Sequence, residues 1–204
     1  MAKGICFKEP LFYATIEGRK TQTRRIITPQ PDDTIQLSDE LVCGYRGKKI
    51  KPRYKVGDKV YLKEPYLPPN NDRGCVYRYG MDKLKFEANF KKAKWKNKLF
   101  MPQSAARYFI EITGVRAEKL QDISDEDCIK EGIEICKYDG RHYVNDIWGK
   151  SKLDGVWEKT RILYDTPQEA YAALIDSING KGTWESNPFV WVYDYKLIKL
   201  KERL

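Results

Sequence analysis

The chain has 204 residues and a formal net charge of +9; 41% of its residues are hydrophobic and 33% are charged. This composition excludes disordered and collagen-like chains, and the length predicts one domain with insertions. No apolar run approaches the ~20 residues that span a bilayer, and the first twenty residues lack the long apolar core of a signal peptide. We therefore expect a protein of the cytoplasm with no membrane partner.

The cysteines and the single histidine argue against a metal site. The five cysteines are an odd number, and no two of them have C-x-x-C spacing. His142 is the only histidine, so the usual combinations of zinc ligands are missing. We expect free thiols in a reducing compartment and no bound metal or cofactor.

Basic residues are concentrated in two segments of the chain. Residues 44–63 contain eight basic residues and one acid, and residues 83–98 contain seven lysines and one acid among aromatic rings. Such a pattern is typical of a surface that binds phosphate backbones, and a solvated lysine-rich surface is the alternative. The residues predicted to contact nucleic acid are Lys48, Lys49, Lys51, Arg53, Lys94, Trp95 and Lys96.

The first half of the chain begins with a predicted helix over residues 8–17, which has Pro10 in its first turn and ends before Gly18. Residues 19–27 predict a turn that enters a strand. Residues 28–54 hold three prolines and predict an irregular excursion with room for a short hairpin. Alternation of apolar and polar residues over 59–63 predicts a strand with one solvated face.

The second half is predicted to alternate strands with insertions. Residues 75–79 and 107–115 read as strands because their apolar residues alternate or are β-branched. Residues 80–104 form a basic, aromatic insertion for which the pattern predicts no fold. Residues 137–163 predict a loop insertion.

Two further helices have clear start signals. Ser124 is a suitable N-cap for a helix that ends near Gly132, and Thr166 opens a capping box at the start of a longer helix. The last strand begins at Phe189 and is apolar on both faces, so we expect it to be central in its sheet. Short strands with local helices indicate an α+β domain of barrel-like form.

The segment Gly18-Arg19-Lys20-Thr21-Gln22-Thr23-Arg24-Arg25 resembles the G-x-K-x-x-T-x-R signature of ASCH domains, which belong to the PUA-like superfamily. Further matches follow in order along most of the chain, and the last two are similar to a phage and prophage branch. They are Val56-Gly57-Asp58, Lys63-Glu64-Pro65-Tyr66, Met101-Pro102, Asp122-Ile123-Ser124, Glu131-Gly132, Asp176-Ser177-Ile178-Asn179-Gly180 and Trp184-Glu185-Ser186-Asn187-Pro188.

The resemblance implies a PUA-like β-barrel with short helices around it and a cleft. The whole chain, 1–204, would be a single domain with insertions at about 28–54, 80–104 and 137–163. The expected location is the cytoplasm of a phage-infected or prophage-bearing bacterial cell, and the expected partner is RNA or a modified nucleoside.

The best-defined small enzyme of that family removes the acyl group from N4-acetylcytidine with a Lys, a Thr and a Glu. The matching residues are Lys20, Thr23 and Glu131. The Thr23 hydroxyl is a nucleophile for an amide carbonyl if a base takes its proton. Lys20 is either that base, with a pKa lowered toward ~7–8, or an ammonium that stabilises the oxyanion.

Other residues near these motifs are predicted to bind the substrate, each with a structural alternative. Glu64 accepts from a base amino group or forms a surface ion pair, and Trp184 stacks on a base or packs in the core. The predicted substrate-binding residues are Thr21, Arg25, Glu64, Trp184, Ser186 and Asn187.

Three functions remain open from the sequence. The first is an amidohydrolase that acts on an acylated nucleobase, with ribonuclease activity as its enzymatic alternative. The second is a non-catalytic module that binds RNA or a modified nucleotide. The third is a phage accessory factor that binds a host protein.

Overall fold

The computed structural model of the chain describes residues 3–37, 41–46, 48–69, 74–77, 79, 93–143, 147–150, 157–160 and 162–198. They form a mixed α+β fold with three short helices, as the sequence predicts. The helices are α1 (Glu9–Ile16), α2 (Asp125–Lys130) and α3 (Pro167–Asn179). Among the described helices, none has the length and hydropathy needed to cross a bilayer.

Among the described residues, five strands build the main sheet and nine others form smaller sheets of two or three strands. The main strands are β1 (Lys3–Cys6), β2 (Gln22–Ile26), β6 (Lys59–Lys63), β9 (Phe109–Lys119) and β14 (Phe189–Ile198). The others are β3 (Asp33–Leu37), β4 (Leu41–Tyr45), β5 (Lys48–Ile50), β7 (Tyr66–Leu67), β8 (Val76–Tyr77), β10 (Glu134–Ile135), β11 (His142–Tyr143), β12 (Ile147–Lys150) and β13 (Trp157–Thr160).

The order of the main sheet is β1-β6-β9-β14-β2. β1 runs parallel to β6, and every other neighbouring pair is antiparallel. β14 pairs with both β9 and β2, which confirms that the final strand lies inside the sheet. Val190 and Val192 on one face and Trp191 and Tyr193 on the other are all buried, so the strand is covered on both faces.

The sheet is open in the described part of the chain, because β1 and β2 are its two edges and do not pair with each other. A closed PUA-like barrel is therefore not formed by these strands. The exposed backbone of β1 is instead satisfied by side chains, as an edge strand needs. Arg25 donates to the carbonyl of Cys6 at 2.8 Å, and Tyr54 donates to the carbonyl of Gly4 at 3.0 Å.

The predicted capping signals are confirmed at two helices. The Ser124 hydroxyl accepts from the amide of Asp127 at the start of α2. Thr166 and Glu169 form a complete capping box at the start of α3. Both caps satisfy amides that the first turn of a helix leaves without partners.

Two predicted excursions contain more structure than expected. Residues 28–54 hold a three-stranded sheet of β3, β4 and β5 in place of one short hairpin. The prediction of a loop over residues 137–163 is wrong in part, because the strands β11, β12 and β13 lie within this range. The sequence predicts strands from the alternation of apolar and polar residues. Short strands that are paired by backbone hydrogen bonds do not need this alternation, so the pattern does not reveal them. In the predicted insertion at 80–104, residues 80–92 lie outside the described residues.

Candidate functional site

The start of β2 is fixed between α1 and α2. Gly18 follows α1 with a φ of +78°, which reverses the chain in a conformation that suits glycine. The amide of Lys20 then donates to the carbonyl of Ala14 at 2.9 Å, and the amide of Thr21 donates to the carbonyl of Lys130 at 2.9 Å. These contacts bring the signature segment against the end of α2.

The side chain of Lys20 is buried and its ammonium group is fully used. Its Nζ donates to the carboxylate of Glu131 at 2.5 Å, to the carbonyl of Glu131 at 2.7 Å and to the carbonyl of Gln22 at 2.7 Å. An ammonium has three protons, so these three acceptors account for all of its donors.

Glu131 ends α2 and is also held by a second cation. Its other carboxylate oxygen lies 3.3 Å from Arg24, which is buried and pairs with Glu118 at 2.6 Å and with Asp127 at 2.9 Å. Gly132, with a φ of +102°, lets the chain leave the helix directly after Glu131. Glu131 therefore lies between two buried cations, and this explains why an acid occupies the unfavourable end of a helix dipole.

Burial and charge shift the pKa values of these groups in opposite directions. Burial lowers the pKa of Lys20, against the charge and hydrogen bond of Glu131. Burial by itself raises the pKa of Asp127, but hydrogen bonds from Lys130 and Arg24 outweigh it and lower this pKa from 3.8 to about 2. Lys20 is thus shifted in the direction that a general base needs.

Lys20, Thr23 and Glu131 line one small cleft, together with residues of α1 and α3. Its volume is about 70 Å³, which is room for only a few water molecules. Within the described part of the chain, the Thr23 hydroxyl forms no hydrogen bond. The buried hydroxyl of Tyr171, which also lines the cleft, has no partner there either.

A larger groove adjoins this cleft and lies between the two edge strands of the sheet. Its volume is about 460 Å³, within the usual range of ligand sites. The cleft and the groove share three lining residues, Cys6, Arg25 and Ile26. The predicted substrate-binding residue Arg25 therefore lies at the boundary between the two cavities.

Glu64 is not in either cavity, which corrects the prediction that it faces the cleft. It is fully buried, and Arg107 donates to both of its carboxylate oxygens at 2.8 and 2.5 Å. A carboxylate buried this deeply needs a cation, and Arg107 satisfies it completely. Glu64 is therefore a structural partner of Arg107.

Four other predicted substrate-binding residues do not line the cavities either. The ring of Trp184 packs edge-on against Tyr171, with 6.1 Å between the ring centres, which supports the core alternative. Ser186 donates to Thr183, and Asn187 accepts from the amide of Gln121, so both hold the turn before β14. The backbone of Thr21 joins α2 to β14, because its amide donates to Lys130 and its carbonyl accepts from Tyr195.

The predicted nucleic-acid residues divide between the groove and the open surface. Lys51 and Arg53 line the groove and are exposed. Lys49, Lys94 and Lys96 are exposed, and Trp95 is half-buried, outside both cavities. The side chain of Lys48 lies outside the described part of the structure.

Sequence reasoning missed Tyr171 and Arg24 as parts of the site. Tyr171 lies at a position of its helix where the spacing predicts core packing, and its hydroxyl adds no signal to that pattern. Arg24 belongs to the signature segment but matches none of its defining positions, yet it is the centre of the buried ion network. An arginine inside an otherwise well-buried strand was the available signal, since buried charges are almost always paired.

In the described ranges, no three His, Cys, Asp or Glu side chains form a group that could hold a metal ion. Comparisons with protein-family models, with curated proteins and with solved structures find no match to this chain.

Proposed function

We propose that this chain is a nucleoside-directed amidohydrolase of the ASCH type, which removes an acyl group from a modified nucleobase such as N4-acetylcytidine. The observation that carries this proposal is the convergence of Lys20, Thr23 and Glu131 on one cleft, although Glu131 is 111 positions from Lys20. The small cleft has the size for an acyl group, and the adjoining groove has room for the rest of a nucleoside.

The proposed reaction begins with attack of the Thr23 oxygen on the acyl carbonyl carbon. Lys20 first passes a proton to the Glu131 carboxylate that it contacts, and the neutral amine then takes the hydroxyl proton of Thr23. Collapse of the tetrahedral intermediate breaks the bond to N4 of the base, and Lys20 returns a proton to that nitrogen. Water then hydrolyses the Thr23 ester, which releases the acid and restores the hydroxyl.

Tyr171 fits the role of oxyanion donor better than Lys20 does. All three donors of Lys20 are occupied, so it would have to break a short contact to reach an oxyanion. The Tyr171 hydroxyl is free among the described residues, and burial raises its pKa well above the ordinary value, so it stays protonated. A positioned neutral donor of this kind stabilises developing negative charge.

The finer architecture that accompanies this proposal is a PUA-like barrel opened at one seam. The two edge strands, β1 and β2, line a shared groove, and the Arg25 side chain bridges them by donating to the carbonyl of Cys6. Side chains thus span the gap that backbone pairing closes in a complete barrel.

The test is release of acetate from N4-acetylcytidine by wild type and by Thr23→Val. Valine keeps the branched shape, and the lost hydroxyl forms no hydrogen bond in the described structure, so the fold should survive. Turnover should fall at least a thousandfold. The matched control is Thr15→Val. The Thr15 hydroxyl forms hydrogen bonds with Leu11 and Tyr195, so its removal should lower the stability of the fold and leave the activity unchanged.

Full activity of Thr23→Val would exclude the threonine as nucleophile and favour direct attack by water. If the wild-type protein binds the nucleoside but releases no acetate, the result would favour the second candidate function, a non-catalytic binding module. That candidate is favoured by one observation, the complete use of the Lys20 ammonium in structural contacts.

A further inference from the structure

The groove between β1 and β2 is lined by several basic residues and by no acid. Four basic side chains, Arg25, Lys51, Arg53 and Lys63, contribute to its surface. None of its lining residues is acidic. Such a wall attracts anions, and the low-dielectric interior beneath it strengthens the attraction.

Three of these cations have no acidic partner among the described residues. Within the part of the chain that the structure describes, Arg25, Arg53 and Lys63 form no ion pair. Arg53 lies 5.6 Å from the ring centre of Tyr54, and Lys63 lies 5.6 Å from that of Tyr61. Contacts with aromatic rings hold these cations in place and leave their charge available to a ligand.

Arg25 gives the most direct indication that a polar ligand belongs here. Its Nη2 donates to the carbonyl of Cys6 at 2.8 Å, but its Nε is buried and has no partner among the described residues. A buried guanidinium donor without an acceptor is costly, and an anion in the cavity would satisfy it. Phosphate suits this role because guanidinium forks bind its oxygens in pairs.

The floor of the groove is apolar and aromatic. Ile5, Ile27, Tyr54, Trp191 and Tyr193 are buried residues that line it. A volume of about 460 Å³ is much more than a phosphate ion needs, so the ligand carries an additional flat or apolar part.

We propose that this groove binds the phosphate of a nucleotide, so that the chain binds a nucleotide or a nucleotide unit of RNA more tightly than the free nucleoside. The base identity rests on the proposed function, whereas the phosphate site rests on the groove alone. The phosphate lies against Arg25, Arg53 and Lys63, and the modified base extends past Arg25 toward the small cleft.

The experiment compares the affinities of cytidine, cytidine 5′-monophosphate, a short cytidine oligoribonucleotide and inorganic pyrophosphate by calorimetry at fixed ionic strength. We expect the monophosphate or the oligomer to bind at least tenfold more tightly than cytidine. Arg53→Gln and Lys63→Gln should each reduce that advantage at least threefold. Lys196→Gln is the matched control, since this exposed lysine of β14 lines neither cavity and should change nothing.

Tight binding of the monophosphate would identify a free nucleotide as the ligand, and binding of the oligomer alone would identify a phosphodiester of RNA; both support the groove. Binding of pyrophosphate that depends on Arg53 and Lys63, without binding of any cytidine compound, would support the phosphate site and contradict cytidine as the base that the proposed function assigns. Equal affinities for cytidine and its monophosphate, or no binding of any phosphate compound, would overturn the inference.

Discussion

The ammonium of Lys20 lies 2.5 Å from a carboxylate oxygen of Glu131, and both side chains are at least 95% buried. This ion pair joins the start of β2 to the end of α2 across 111 positions of sequence. It has two consequences that experiments can separate. It holds the two elements together, and it keeps an amine with a lowered pKa beside the cleft.

Breaking one side of this pair should strongly destabilise the protein. Lys20→Met and Glu131→Gln are each expected to lower the free energy of unfolding by about 3–5 kcal/mol, because the remaining charge stays buried. The double variant should cost clearly less than the sum of the two, since no charge of the pair then remains. Denaturant unfolding of the four proteins measures the coupling, and additive costs would show that the pair does not interact as described.

Tyr171→Phe should separate stability from activity. The lost hydroxyl has no partner among the described residues, so the free energy of unfolding should change by less than about 1 kcal/mol or increase. If Tyr171 donates to the oxyanion, kcat should fall about a hundredfold with little change in KM.

The matched control for Tyr171 is Tyr195→Phe. Tyr195 is also buried, but its hydroxyl lies 3.1 Å from that of Thr15, so the change should cost about 1 kcal/mol of stability and leave kcat unaltered. An equal loss of kcat in both variants would contradict the role of Tyr171 as oxyanion donor.

Asp127 should make the stability depend on pH in the acid range. Its pKa is lowered from 3.8 to about 2 in the folded protein, so its contribution is complete above about pH 4 and is lost as the pH falls toward 2. Asp127→Asn should cost about 1–2 kcal/mol at pH 7 and much less near pH 2.5. Unfolding curves of both proteins at these two pH values test this, and a difference that is constant with pH would contradict it.

Single-stranded RNA should bind with an affinity that falls steeply with salt. Counterion release predicts that the slope of log affinity against log salt is about −0.7 for each phosphate neutralised. A variant with both Lys51→Gln and Arg53→Gln should have a slope smaller by ~1.4, because two phosphate contacts are removed. Lys94→Gln with Lys96→Gln tests the second basic segment in the same titration. Affinity that is independent of salt would exclude both segments as RNA surfaces.

Local signals in the sequence determined the elements with the clearest boundaries. The Thr166 capping box, the Ser124 cap and Gly18 after the first helix all act over a few residues, and each lies where the sequence predicted. The central position of β14 was predictable as well, because its first five residues are apolar on both faces, which indicates a strand covered on both sides. These features depend on neighbours in the chain, so one sequence is enough to recognise them.

Only the tertiary structure decided which charges meet. Glu64 and Glu131 are both acids beside a predicted strand or helix end, yet Arg107 engages the first and Lys20 the second. The hydroxyl of Tyr171 and the groove beside Arg25 also depend on strands and helices distant in sequence. Side chains pair according to distance in space, and the order of the sheet, which puts β1 and β2 at its two edges, sets those distances without leaving a local pattern in the sequence.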